Sequence, residues 1–246
     1  MSELHISISA EKIAGINGFP ITNSLIATWM AMFFLFLLTF IVRTRLSLVP
    51  GRIQSVMETM VGGIYNLFES INGEKVKIFF PLLGTLFIFI ITANWMSLLP
   101  GFGTIGLYEI EEGRKVFIPL LRGATADLNT TIGLAIVAML VIQFYGIKDL
   151  GVEYLKKFFN FKSPIGFYVG VLELISEVSR LISFAFRLFG NIFAGEVLLT
   201  VIAFLMPVIA PIPFLGLEVF VGFIQALVFS MLTSVFLNVA TSKAHH

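Results

Sequence analysis

The sequence predicts an all-α integral membrane protein with about five transmembrane helices, the last two forming a long, steeply tilted hairpin. Three observations carry that expectation. The 246 residues are 57% hydrophobic and only 13% charged, against roughly half apolar and a quarter charged in a soluble domain. The 27 phenylalanines lie in long unbroken apolar runs, whereas a transmembrane barrel alternates in segments of about ten residues. The C-terminal third holds apolar stretches far longer than a bilayer requires.

Crossing about 30 Å of hydrocarbon takes about 20 apolar residues. Leu25–Val42 supplies the first span, Ile78–Leu99 the second, closed by the turn "LLPG", and Leu128–Ile147 the third. Residues 52–70 are mixed polar and apolar. They read as an amphipathic interfacial helix or as the start of an extended second helix. From Pro164 to Met206 helical periodicity runs without an internal proline. At about 1.5 Å per residue that is roughly 60 Å, twice the hydrocarbon thickness, so the helix tilts or extends beyond the core. "PVIAPIP", Pro207–Pro213, breaks it, and a last segment runs from Phe214 to about Ala240.

The organisation follows. Residues 1–24 form an external N-terminal segment. Residues 25–147 carry three spans, with an external loop at 100–126. Residues 148–163 form a cytoplasmic loop, and 164–246 the long helical hairpin. The stretches 43–77, 148–163 and 241–246 hold ten Lys/Arg, against four in 1–24, 100–126 and 207–213. The positive-inside rule then puts the N-terminus outside and the C-terminus in the cytoplasm. The N-terminus has no basic region ahead of an apolar core and does not read as a cleavable signal.

A net charge of +1 without a basic aromatic cluster leaves no expectation of a nucleic-acid partner. With no cysteine, disulfides, thiolate chemistry and cysteine-ligated metal are excluded. No metal or cofactor is expected, and membrane lipid is the surrounding medium. The absence of H-E-x-x-H, G-x-S-x-G and paired intramembrane aspartates argues against a membrane hydrolase. No internal repeat supports an inverted-repeat transporter.

The polar residues of 164–206 are informative. On a helical wheel with Arg187 at zero, Arg180, Ser183, Asn191 and Glu173 all fall within about 40° of it, and Glu177 at about 80°. Glu196 lies at about 180°, on the opposite face. Glu173, Glu177 and Arg180 are spaced to form structural ion pairs. Arg187 has no acid near it on its face, and its guanidinium cannot shed its charge. Interior membrane charges mark ion paths or substrate sites. Ala185, Gly190, Ala194 and Gly195 surround it; such small residues let another helix approach, either the second hairpin helix or a partner. Glu218 and Gln225 share a face of that second helix. Asp127 reads equally as a helix N-cap and as a channel residue. Carboxylates at several depths around one permanent cation suit ion conduction with a barrier.

"SFAFRLFGNIFAGEVLL" resembles the signature helix of subunit a of the rotary F-type ATP synthase membrane sector. So do "NWMSLLPG" at Asn94–Gly101, "TADLNTT" at Thr125–Thr131 and "FIQALVFSMLTSVFL" at Phe223–Leu237. These blocks run in order over about two thirds of the chain, while the stretch 1–75 matches only in general layout. The resemblance implies that Arg187 is the essential stator arginine facing the rotor ring of c subunits, with Asn191 and Gln225 as polar neighbours. It implies that Glu196 and Glu218 line one aqueous half-channel, with Asp127 near its entrance. Glu173 and Ser183 then lie toward the other half-channel, on the cytoplasmic side.

The implied function is a non-catalytic stator subunit that couples proton flow to rotation and ATP synthesis. The implied partners are the c-ring, the peripheral-stalk b subunits and the rest of the complex. The implied location is a bacterial plasma membrane, though an organelle-encoded copy would look similar. Protons are the expected ion, and a sodium-driven enzyme needs much the same arginine. Where members of this family can carry histidine, at the positions of Glu196 and Glu218, this chain has glutamate. Its three histidines are His5, His245 and His246, so an imidazole relay is not available. The rival reading is a stand-alone secondary transporter or ion channel.

Overall fold

The computed structural model describes residues 9–16, 19–44, 46–47, 50–111, 114–158 and 163–242. His5, His245, His246 and the ends of the two terminal segments lie outside the described residues. Two short strands, β1 (Lys12–Ile16) and β2 (Phe19–Thr22), pair antiparallel before helix α1 (Asn23–Thr44). Helix α2 (Arg52–Asn72) leads through a single 3₁₀ turn into α3 (Val76–Met96). Gly73 has φ of 55°, a left-handed conformation that glycine adopts freely. It opens the 3₁₀ turn that marks the boundary between α2 and α3 within one helical stretch, Arg52–Met96.

The 100–126 segment, expected as loop, carries β3 (Pro100–Gly103) and an antiparallel hairpin of β4 (Gly106–Glu111) and β5 (Arg114–Pro119). A 3₁₀ turn at Ala124–Ala126 then opens α4 (Leu128–Leu150). The expected loop at 148–163 is largely helical: its first residues extend α4, and α5 (Val152–Phe158) follows. The hairpin comprises α6 (Pro164–Leu205), 42 residues, and α7 (Pro211–Thr241), 31 residues. Ser163 caps α6 by accepting from the Gly166 amide at 3.0 Å, ahead of proline at the first helical position. Pro211 and Pro213 sit in the opening turns of α7, where their missing amides cost nothing.

Among the described residues, five helical stretches are long and apolar enough to cross a membrane: Asn23–Thr44, Arg52–Met96, Leu128–Leu150, Pro164–Leu205 and Pro211–Thr241. With its apolar composition, the chain is an integral membrane protein. α3, α4, α6 and α7 share one core of Leu86, Phe87, Ile90, Ala138, Phe184, Leu188, Ala226 and Phe229. Side chains such as Phe36, Leu140 and Phe144 are more than 60% exposed, which suits lipid and not water. α1 meets the bundle through the small residues Ala27 and Ala31, which are buried, while Phe33, Phe36 and Phe40 point away.

The two ends of the bundle are tied differently. At one end Asn23 Nδ2 donates to the Pro119 carbonyl at 3.2 Å and Ser24 Oγ to Asp127 Oδ2 at 2.7 Å. At the other, Lys75 Nζ reaches Asp149 at 2.7 Å and the Thr241 carbonyl at 2.9 Å. The N-terminal hairpin and the end of α7 therefore lie at opposite ends, as an odd number of crossings requires.

Candidate ion path

Two sequence blocks set the register around the site. In "NWMSLLPG", Asn94 Nδ2 donates to the Gly222 carbonyl at 3.0 Å and Trp95 Nε1 to the Val219 carbonyl at 3.0 Å. Gly222 leaves the room this needs, because a Cβ there would sit 3.1 Å from the Asn94 Cβ. In "TADLNTT", Thr125 Oγ1 donates to Asn94 Oδ1 at 2.6 Å. Asp127 caps α4, accepting from the Asn129 amide at 3.1 Å, and its second oxygen takes the Ser24 hydroxyl. The cap is thus real, and the carboxylate is buried at 5% exposure.

These contacts hold α3 and α7 so that Glu218, also buried, faces α6 at Gly195. Any Cβ on Gly195 would fall on the Glu218 carboxylate. Beside this pair lies a cavity of about 140 Å³, lined by Asn94, Ser97, Gly123, Thr200, Glu196 and Glu218 among others. A water needs about 10–15 Å³ of such space, so the cavity has room for several. The two glutamates that the resemblance assigns to one half-channel both line this cavity. Asp127 does not line the cavity, although its neighbour Ala126 does.

Glu196 also meets a residue that the sequence did not single out. Arg122, just before the 3₁₀ turn, is 5% exposed and brings its Nε to 3.5 Å from Glu196 Oε2. That oxygen is buried without a hydrogen-bond partner in the structure, and a buried acceptor in that state calls for water. The available signal was a lone arginine inside the apolar run "FIPLLRGATA".

Arg187 sits on a different face of α6, as the wheel predicts. It is exposed, in a stripe with Ser183, Asn191 and Ala194. Its Nη2 donates to Ser183 Oγ at 3.1 Å, and among the described residues no carboxylate lies within ion-pair distance. Ser183, expected on the cytoplasmic path, is therefore the arginine's hydrogen-bond partner. Asn191 lies one turn further along the stripe, and Gln225 is half-buried on α7. The small residues divide. Ala185 is fully buried in the bundle and Gly195 accommodates Glu218. Gly190 has nothing among the described residues within 4 Å of a would-be Cβ.

Toward the N-terminal end of α6 the charges are tied off. Arg180 Nη1 contacts Glu177 Oε1 at 2.7 Å and its guanidinium lies 4.1 Å from the Phe236 ring centre. Gln143 Nε2 donates to Glu177 Oε2 at 3.0 Å, and the Tyr154 hydroxyl donates to Gln143 Oε1 at 2.8 Å. Burial first, and the Glu177 charge second, push the Tyr154 phenol up to about 12. Of the three residues expected to pair, Glu177 and Arg180 do. Glu173 pairs with Lys157 of α5 instead, at 2.5 Å. Among the described residues no cluster of side chains is arranged to hold a metal ion.

Comparison with known proteins supplies the family. Residues 25–238 match the family model described as ATP synthase A chain. The chain is 36% identical over 221 residues to a protein named ATP synthase subunit a 3 from Pelobacter propionicus, covering 89% of this chain and 87% of that one. It is 34% identical over 221 residues to ATP synthase subunit a of Geotalea daltonii, with the same coverage. Against ATP synthase subunit a of Citrifermentans bemidjiense it is 35% identical over 226 residues, 91% of this chain and 89% of that one. The sequence blocks, the overlong hairpin and these matches agree, and the chain belongs to the ATP synthase A chain family.

Proposed function

We propose that this chain is the stator ion-channel subunit of an F-type ATP synthase, and that it faces the complex's ring of c subunits through the Arg187 stripe. Its family makes the rest of the ATP synthase complex its partner. Ring contact, attachment to peripheral-stalk b subunits, the proton as cargo and an external N-terminus belong to this proposal.

One observation carries it. A permanent cation stands on the outward face of a membrane-spanning helix, with Ser183 as its hydrogen-bond partner among the described residues. A charge facing hydrocarbon costs at least about 2.5–3.5 kcal/mol. A partner carrying carboxylates would offset that cost. The cavity at Glu196 and Glu218 serves as the half-channel on the N-terminal side, and the exit past Ser183 serves the cytoplasmic side. Arg187 stands between them, so a proton crosses only on a ring carboxylate. Each charge crossing the full potential yields about 2.3 kcal/mol per 100 mV. No bond chemistry takes place on this chain.

The test is Arg187→Ala in the assembled enzyme, in inverted membrane vesicles. ATP-driven acidification is lost, while passive proton leak after removal of the soluble sector is retained or raised. Normal pumping would return Arg187 to the structural charges. Ion conduction by the purified chain without a ring would favour a stand-alone channel or transporter.

A further inference from the structure

We propose that Arg122 is a positioning residue of the ion path: it fixes the Glu196 carboxylate at the cavity wall without tying its oxygens into a short hydrogen bond. The inference rests on the half-channel reading above.

Three contacts of the guanidinium lie among the described residues. Its Nη1 donates to the Ser9 carbonyl at 2.8 Å. Its Nε edge faces Glu196 Oε2 at 3.5 Å. Its plane lies over Phe193, 5.7 Å from the ring centre. Phe193 precedes Glu196 by three residues on α6 and stacks on Phe189, with ring centres 5.3 Å apart and planes 11° from parallel. The arginine therefore reads the position of α6 twice, once through the aromatic ring and once through the acid.

The distances separate two kinds of contact. At 2.8 Å the bond to Ser9 is a full hydrogen bond. At 3.5 Å the approach to Glu196 is electrostatic without being a short hydrogen bond, and Oε2 is left with no hydrogen bond in the structure. A short bidentate arginine fork would engage both oxygens of the carboxylate. At this distance the carboxylate is oriented by charge, and its buried Oε2 is free of any short hydrogen bond.

Arg122 also joins parts of the chain distant in sequence. Through Ser9 it fastens the N-terminal segment, and through Glu196 it fastens α6, to the turn that opens α4. Among the described residues two other carboxylates act on Glu196 or share its cavity: Glu11 of the N-terminal segment and Glu218 of α7. Asp127, at the head of α4, directs its oxygens to Ser24 and Asn129 instead. Among the described residues Arg122 is thus the cation that faces Glu196.

The experiment compares Arg122→Gln and Arg122→Lys in the assembled enzyme, in inverted vesicles with lumen and medium started at the same pH. Assembly is followed by the amount of complex in the membrane, and Arg187→Ala serves as the control. Arg122→Gln is expected to lower the pumping rate roughly tenfold, the scale of losing an outer partner of a functional ligand. It is also expected to displace the pH midpoint of pumping by about half a unit or more, because a permanent charge beside a carboxylate changes how tightly it holds its proton. Arg122→Lys keeps the charge but cannot serve Ser9, Phe193 and Glu196 together. It is expected to lose about threefold in rate with the midpoint unmoved.

A rate loss in Arg122→Gln without any movement of the midpoint would make Arg122 a structural tie, and an unchanged rate would remove it from the path altogether. Should Arg122→Gln fail to assemble, Arg122→Lys decides: reduced pumping at normal abundance supports the proposal, and a normal rate overturns it. Arg187→Ala separates the two levels. If that variant pumps normally, the half-channel reading fails. If it does not, while the Arg122 variants give the contrary results, only the positioning proposal fails.

Discussion

The two halves of α6 treat charge in opposite ways. Toward its N-terminus, each acid is matched: Glu177 by Arg180 and Gln143, and Glu173 by Lys157. Toward its C-terminus, Glu196 has a cation near but no short hydrogen bond, and Glu218 of the facing helix makes no hydrogen bond among the described residues. The first arrangement is what packing demands, since partly satisfied polar groups are costly. The second leaves acceptors facing a cavity, which is what moving an ion requires. Arg187 divides them. On the proposed reading, the state of their partners, rather than the number of intramembrane charges, separates those that hold the fold from those that work.

Gly195→Leu attacks the working half most directly. Any side chain at this position displaces the Glu218 carboxylate, and misplacing a reacting group by about 1 Å can cost a hundredfold. Pumping is expected to fall by about that factor in vesicles that contain normal amounts of complex. Unimpaired pumping would show that Glu218 does not work from its position against α6.

Tyr154 probes the packed half, with a smaller effect. Tyr154→Phe removes one hydrogen bond, worth about 1 kcal/mol, and is expected to leave pumping intact while lowering thermal stability slightly. Its pH dependence is specific. The folded phenol, raised to about 12, lies above its unfolded value of about 10. The native state therefore holds this proton more tightly, and the associated stability is present below pH about 10 and lost as pH rises toward 12. An unfolding titration of the detergent-solubilised complex should show this loss in the native chain and not in Tyr154→Phe. A pumping defect in Tyr154→Phe would blur the division between the halves.

Much of this was legible in the residues. The spans follow from hydropathy and length, and the structure moves their ends by a few residues. The Arg187 stripe follows from helical periodicity, because one helix carries all of it. The placement of Glu196 opposite Arg187 was equally local. What escaped were contacts between elements remote in sequence. Arg122 reaches Glu196 from a connecting segment with no periodicity. Gly195 looked like a small neighbour of Arg187, while its lack of a side chain serves Glu218 of the next helix. Lys157 takes Glu173 because α5 folds back on α6 near Gly170, where a Cβ would strike the Phe158 carbonyl. The hairpin β4–β5 was hidden because a span-based reading treats every connection as loop. The alternation in "GLYEIE" and the β-branched and aromatic run in "RKVFIP" were the available cue.

The stator reading turns on whether the outward face of Arg187 meets the ring or lipid. The chain has no cysteine, so single cysteines report cleanly. Asn191→Cys lies one turn from Arg187 on the exposed stripe, and Leu140→Cys, at a site 63% exposed on α4, serves as the lipid-facing comparison. Each would be paired with a cysteine at mid-membrane on the c subunit and oxidised in native membranes. A disulfide-linked product is expected from Asn191→Cys and none from Leu140→Cys. A cysteine at 191 that never links to the ring, yet reacts as readily as the one at 140 with a lipid-soluble maleimide, would place the Arg187 stripe against lipid and overturn the stator reading.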